Sequence, residues 1–455
     1  MQTREVKTCE DAKQIVEKRG LSHIKVGIFD IDGVLRGKYM SREKFFSALL
    51  SGFGFCDVVL GWDSNDQLYD NVSITGWHTG FPDATVRIIP ESCREIPSEA
   101  GMLFFLAEFD GNYENVCPRG VLRRVLKKAE SMGFSLKAGF EYEFFVFDET
   151  SSSIREKKYQ NLAPLQPGFF GYSVLRNSVE SSFYSELLDA CEHMDIPLEG
   201  LHEETGPGVL EAAIAADYGI SVADKAALFK TFTKIMTQKN GKLATFMAKW
   251  SPDWPGSGGH IHISLVREDG SNAFYDPGSS DKMSQLMRNF VGGQIKLMPE
   301  MLATIASTVN SFTRLVPDFW APTSASWGYD NRTCALRIIS GSEKSQRVEY
   351  RVPAADANPY IALASALGAG LWGIENSIEP GEPLKGNAYT KSFARRLQFP
   401  KSLAEAAARL TSSKPARAIL GDSFIEHYAA SREWEEREFR KHITDWEMER
   451  YFEII

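Results

Sequence analysis

The chain has 455 residues, 43% of them hydrophobic and 12% aromatic, which is enough for a large core and for more than one domain. A net charge of -9 offers no basic excess to a nucleic-acid polyanion, and no stretch reaches the roughly 18 apolar residues of a membrane span. Six scattered cysteines (Cys9, Cys56, Cys93, Cys117, Cys191, Cys334) form no C-x-x-C pair, and the N-terminus lacks the apolar run of a signal peptide, so the expectation is a reduced, cytoplasmic protein.

Residues 8–19 read as a helix, and Ile24–Ile31 alternates like a strand running into a turn at Asp32–Gly33. Between about 50 and 112, short apolar runs separated by Gly, Pro, Asn and Asp predict a small sheet. Pro118 opens PRGVLRRVLKKAESMG, an amphipathic segment with Pro in its first turn and Gly133 just past its end. A boundary is therefore placed near 113–117, giving units 1–114 and 115–455. Strands and helices then interleave up to a charged helix over 424–451, where Trp434, Phe439, Ile443 and Trp446 form an apolar stripe. The tail YFEII is expected to pack on its own chain, with insertion into a neighbouring subunit as the alternative.

Four segments place polar groups on one face of a strand. Glu141 and Glu143 alternate with Tyr142 and Phe144 in FEYEFFVF; His260, His262 and Ser264 alternate with Ile261, Ile263 and Leu265 in GSGGHIHISL. Glu349 and Arg351 share a face in VEYRV, and Arg337 stands between Leu336 and Ile338. Any one of these could be a solvent face; together they are acids, imidazoles and guanidiniums, with few Ser or Thr. A cavity built from them concentrates negative charge that only cations can neutralise, and hard oxygen ligands with an imidazole suit Mg²⁺ or Mn²⁺. HEETGPGVLEAA adds Glu203 and Glu211 around a Gly-Pro-Gly turn, a weak signal by itself. Arg314, Arg332, Arg337, Lys344, Arg347 and Arg351 supply the positive charge that phosphoryl transfer requires. No G-x-x-x-x-G-K-[ST] loop is present, so any ATP is held by this sheet-borne set.

These motifs, in this order, resemble the glutamine synthetase superfamily, type I branch, over nearly the whole chain. GFEYEFFVFDE, HEETGPGVLE, PGSGGHIHIS, NSFTRLVPDFWAP, DNRTCALRI and EKSQRVEYRVPAADANPYIALA carry the likeness, with YDNVSITGW upstream. The resemblance implies an α+β protein, a small N-terminal β-grasp domain before a catalytic domain with a curved antiparallel sheet. It implies one metal on Glu143, Glu203 and Glu211 and another on Glu141, His260 and Glu349, two or three Mg²⁺ or Mn²⁺ per site. Glutamate would be held by Arg314, Arg351 and the backbone at Gly256, and ATP by His262, Ser264, Arg337, Lys344 and Arg347. Arg332 would stabilise the phosphoryl group in flight, and Asp70 would reach across from an adjacent subunit to deprotonate the incoming amine. The implied assembly is a dodecamer of two hexameric rings with active sites between subunits.

The pattern departs from the family at the flap, where Phe319–Trp320–Ala321–Pro322 stands in place of Tyr-Glu-Ala-Pro, and at Pro255, which replaces an Asn. Losing the flap carboxylate weakens an ammonium site, while the indole of Trp320 supplies apolar area and a π face. FDIDGVLRGK and SASWGYDNRT also resemble the γ-glutamylputrescine-type branch. The expected reaction joins the γ-carboxylate of glutamate to an organic amine through γ-glutamyl phosphate. Ammonia as acceptor and a non-catalytic assembly protein of the same fold are the alternatives. Tyr389, near the region adenylylated in some relatives, reads as a surface-loop residue.

Overall fold

The apolar alternation at Ile24–Ile31 forms β1 (His23–Phe29), which turns through Gly33 (φ 78°) into antiparallel β2 (Leu35–Ser41). The computed structural model describes every residue except Ser98 and Ala100. β3 (Phe53–Cys56), β4 (Asp83–Ile88), β5 (Arg94–Glu95) and β6 (Leu103–Phe109) complete a first sheet of order β2-β1-β6-β4-β3, with β5 on β6. β1 and β6 run parallel and the other pairs antiparallel, as in a β-grasp sheet. Helices Cys9–Lys18 and Arg42–Ser51 pack here; the first matches the expectation at 8–19 and is capped by Thr8, which accepts from the Asp11 N–H.

This sheet is buried on both faces. Ile24, Val26, Leu103 and Phe105 belong to its own apolar cluster, whereas Phe29, Phe104 and Leu106 join the large core of the rest of the chain. That core begins with the Pro118–Ser131 helix, where the sequence placed it, ending at Gly133 (φ 81°).

A second, nine-stranded sheet is built on β7 (Phe134–Phe147). The others are β8 (Leu198–Glu203), β9 (Val209–Ile214), β10 (Asp217–Tyr218), β11 (Leu243–Thr245), β12 (Gly259–Arg267), β13 (Trp327–Tyr329), β14 (Leu336–Ile339) and β15 (Arg347–Tyr350). The order is β13-β14-β15-β12-β7-β9-β8, with β10 and β11 also on β7 and only β13–β14 parallel. Tyr142, Phe144, Ile261, Ile263, Leu336, Ile338 and Val348 fill one face against helices Ser221–Lys239 and Pro359–Glu375. The opposite face carries the acids, imidazoles and guanidiniums.

The C-terminal segment differs from its expectation. It forms two helices, Asp422–Phe439 and Asp445–Tyr451, because Thr444 takes an extended conformation and starts the second with a Thr444–Glu447 capping box. The predicted stripe is thereby broken: Trp434 is buried, while Phe439, Ile443 and Trp446 are exposed. Phe452, Ile454 and Ile455 are exposed too, so the tail does not pack on its own chain. Among the described residues no helix is long and apolar enough to cross a membrane.

Candidate active site

Sheet register brings the polar strand faces together. Glu141 pairs with His260 across β7–β12, His262 with Glu349 across β12–β15, Arg337 with Glu349 across β14–β15, and Glu143 with Glu211 across β7–β9. All of these except His262 line one cavity of about 560 Å³, together with Gly256, Arg314, Trp320, Arg332 and Arg351. A neighbouring cavity of about 480 Å³ shares Glu141 and is lined by His262, Ser264, Lys344 and Arg347.

Close backbone approach explains the glycines of PGSGGHIHIS. A Cβ at Gly256 would lie 2.6 Å from the Ala248 carbonyl, and one at Gly258 would lie 2.9 Å from Arg314 Nη2. That space lets the Gly258 N–H donate to Glu143 Oε2 at 2.5 Å. It also lets Arg314, fully buried, donate to the Val352 carbonyl at 2.9 Å.

Glu349 is the electrostatic hub. Arg337 donates to its Oε2 at 2.9 Å, Arg351 donates to its Oε1, and His260 Nδ1 stands 3.5 Å from the same Oε1. Burial opposes its ionisation, but Arg351, then His260 and His262, outweigh it and bring the carboxyl down to about 2. Burial likewise opposes ionisation of Glu141, yet His260 and His262 hold it well below the usual carboxylate range. Arg347 Nε donates to His262 Nδ1 at 3.1 Å, which leaves the ring proton on Nε2, 3.0 Å from Glu141 Oε1.

On the other side of β7 the charge does not cancel. Glu211 is pushed up to about 9, first by burial and then by Glu143, Glu141, Glu204 and Glu349. Among the described residues two groups offer converging ligand atoms within 4.8 Å of one another: Glu141, His262 and Glu349, and His202, Glu204 and Glu211. A carboxyl that burial and four other carboxylates together force to keep its proton marks a site with surplus negative charge, and this donor set fits divalent cations that prefer oxygen with some imidazole.

Register also corrects one expected ligand. β8 sets His202 opposite Glu211 and Glu203 opposite Leu210, so Glu203 points to the other face, beside Tyr184, Arg176 and Glu180. Glu204 lines the cavity instead, with His202 Nε2 3.1 Å from its Oε1 and Tyr172 stacked on the His202 ring at 4.4 Å. Alternation within HEE held this signal: His202 and Glu204 are two apart.

Of three more placements, only the last differs from the sequence reading. Arg337 lies in the carboxylate cavity, bound to Asp330 (Nε to Oδ1, 2.8 Å) and Glu349, and not among the residues of the second cavity. Asp70 is exposed, paired with Arg437, and lines neither cavity of its own chain. Tyr389 is no surface-loop tyrosine: its hydroxyl is buried without a hydrogen-bond partner among the described residues, and its pKa is raised by burial against the opposing charges of Arg351 and Arg314.

The flap forms the roof. Trp320 lines the cavity yet is 60% exposed, and it adopts φ 61°, a left-handed conformation costly for a residue with a Cβ. Lys249 Nζ sits 3.9 Å from the centroid of the Phe319 ring.

The glutamine synthetase catalytic domain family matches residues 115–451. The chain is 44% identical to type-1 glutamine synthetase 2 of Dictyostelium discoideum, over 95% of this chain and 84% of that one. It is 36% identical to the glutamate–isopropylamine ligase of a Pseudomonas species, over 98% of this chain and 99% of the relative. The solved structure of apo GmaS without ligand superimposes with a TM-score of 0.84, at 25% identity over 97% of this chain and 99% of that one. Strand register, paired carboxylate groups and these likenesses agree, and the chain belongs to the glutamine synthetase catalytic domain family.

Proposed function

We propose that this protein is an ATP-dependent ligase that joins the γ-carboxylate of L-glutamate to an organic amine, releasing ADP and phosphate. One observation carries the choice of acceptor: Trp320, not a carboxylate, roofs a cavity otherwise built for phosphoryl transfer. Likeness to the isopropylamine ligase supports it.

In this reading, Arg314 and Arg351 hold the glutamate carboxylate, with the backbone at Gly256 alongside. ATP occupies the cavity of His262, Ser264, Lys344 and Arg347, so its γ-phosphorus meets the glutamate near Glu141, the residue both cavities share. A glutamate γ-oxygen attacks that phosphorus and the bond to the β-phosphate oxygen breaks. The amine nitrogen then attacks the acyl carbon, phosphate leaves, and the nitrogen gives up a proton. Arg332 is exposed to the cavity with no ion pair among the described residues, which frees it to follow the moving phosphoryl charge. Glu141, His260 and Glu349 would hold one divalent ion and Glu143, Glu204 and Glu211 another, with His202 beside the second set. Such ions, Mg²⁺ or Mn²⁺, would supply charge neutralisation on phosphate oxygens. Trp320 and Phe319 exclude water that would hydrolyse the acyl phosphate.

Asp70 lies outside its own cavity and is assigned to the site of a neighbouring copy, as the group that takes the amine proton. That assignment carries with it a ring-shaped homo-oligomer, two stacked hexamers, in which residues 1–114 form the small domain that presents Asp70 and 115–455 the catalytic one. The working compartment is the cytoplasm.

Phosphate release from ATP with glutamate and Mg²⁺ tests the reading, comparing ammonium with methylamine, isopropylamine, ethanolamine, putrescine and aniline. Turnover with one amine well above ammonium supports it. Preference for ammonium would establish the second reading, a glutamine synthetase with an altered flap, which the 44% likeness to a relative named glutamine synthetase favours.

A further inference from the structure

Behind the catalytic sheet lies another cavity of about 560 Å³, between the β1–β2 turn, helix Ser221–Lys239 and helix Asp422–Phe439. It is on the Tyr142 side of β7: Lys230 Nζ stands 5.6 Å from the Tyr142 ring centroid, and Tyr142 faces away from Glu141 and Glu143.

Lys230 and Lys234, one helical turn apart, both line this space. Lys230 is 8% exposed, and its ammonium donates to the Ala357 carbonyl at 3.0 Å. Among the described residues no carboxylate oxygen lies within 4.0 Å of either ammonium. The acids of the same cavity are engaged elsewhere: Asp356 accepts from Thr308 Oγ1 at 2.9 Å, and Asp32 accepts from Arg432 at 2.6 Å. Burial, and then the Lys234 charge, bring Lys230 down to about 7. Burial disfavours both ammonium charges, and Asp356, the carboxylate that attracts them, already accepts hydrogen bonds from Thr308 and Ser311 without pairing with either lysine, so an anion entering the cavity gains two direct partners. The wall also includes Leu35, Ile235, Phe246 and Met247, which suits a ligand with an organic body. Glu435 lines the cavity as well and has no hydrogen-bond partner among the described residues.

We propose that this cavity is a binding site for a small organic carboxylate, held by Lys230 and Lys234 with its body against the apolar wall. The site is separate from the catalytic cavity and does not depend on the ligase reading. Glu435 is placed to receive an amino group, so the ligand is an amino acid if that carboxyl takes part and a plain carboxylic acid if it does not.

Calorimetric titration of the full-length protein, without ATP or glutamate, tests this with butyrate, leucine and inorganic phosphate as probes. Lys230 is buried and its replacement can unfold the chain, so Lys234→Gln, at the open side, carries the test beside Lys230→Met. Glu349→Gln controls for binding in the catalytic cavity. The expected result is binding of butyrate or leucine that weakens about tenfold in Lys234→Gln and is unchanged in Glu349→Gln. Tighter binding of leucine supports the amino-acid form, and tighter binding of butyrate the plain acid. No binding of either up to about 10 mM, or undiminished binding to Lys234→Gln, overturns the proposal. Phosphate binding as tightly as both carboxylates overturns the choice of ligand.

Discussion

Two clusters of buried charge sit in this fold and are settled differently. Where the first sheet meets the catalytic core, Arg119 donates to Glu108 at 2.8 Å and to both oxygens of Asp224 at 3.0 and 3.1 Å; Tyr360 adds a hydroxyl to Asp224 at 2.6 Å. Every member has a partner, so the cluster is closed. Around Glu211 the carboxylates Glu143, Glu141, Glu204 and Glu349 outweigh the His202 imidazole, whose Nε2 lies 3.8 Å from Glu211 Oε1, and the surplus is settled only by a retained proton or a cation from outside. The difference separates a structural from a functional use of the same side chains: the first cluster ties elements together, while the second keeps its binding capacity by remaining unbalanced.

The two clusters should respond in opposite ways to loss of a member. Arg119→Ala leaves Glu108 and Asp224 buried with no guanidinium and should cost about 3–5 kcal/mol in urea unfolding. A loss under about 1 kcal/mol would show that the cluster does not hold the junction. Glu211→Gln should do the reverse. Without metal, Glu211 contributes fully to stability below pH ~4.5, and the contribution is lost as pH rises toward about 9. The amide removes that slope and leaves the metal-free protein at least as stable at neutral pH. Phosphate release should nonetheless fall about a hundredfold or more, roughly 2.7 kcal/mol of barrier. Destabilisation like that of Arg119→Ala would place Glu211 in the structural class.

What was legible in the sequence follows from the same physics. Period-two alternation placed Glu141, Glu143, His260, His262, Arg337 and Glu349 on one sheet face, because strand geometry ties spacing to side. Glu203 failed because motif spacing was followed around a turn, where insertion of one residue exchanges the faces; the β8–β9 register selects Glu204. The break at Thr444 was readable as a capping box but lay hidden within a run of helix-forming charges. The burial of Tyr389 beside Arg314 and Arg351 depends on contacts distant in sequence, which no local pattern encodes.

A third buried group is of intermediate kind. His427, on the Asp422–Phe439 helix, has Nε2 2.9 Å from the Leu60 carbonyl, while its Nδ1 has no hydrogen-bond partner among the described residues. Burial brings its pKa down to about 4, with Arg432 adding to the effect. The unfolded chain binds this proton near pH 6.5 and the folded chain does not, so stability present above 6.5 is lost as pH falls toward 4. At pH 5 the loss from this residue is about 2 kcal/mol. Comparing urea midpoints of wild type and His427→Gln at pH 7.5, 6 and 5 should show a shallower decline in the variant; parallel declines would remove His427 from the account.

The smallest expected effect concerns the roof of the charged cavity, and it decides which cation the surplus charge is meant for. Trp320→Glu places a carboxylate at the roof of the cavity while leaving Glu141, Glu143, Glu211 and Glu349 untouched. An added anion favours small, strongly hydrated ammonium, and loss of the indole removes apolar area from an alkylamine. The ratio of kcat/KM for the best amine over ammonium should fall about tenfold, ~1.4 kcal/mol. Because Trp320 holds φ 61°, a conformation equally strained for Glu, the substitution changes the side chain without relieving the backbone, and the two effects stay separate. A ratio that does not move would mean that the indole merely covers the site, and acceptor choice would then rest on groups deeper in the cavity or on a neighbouring subunit.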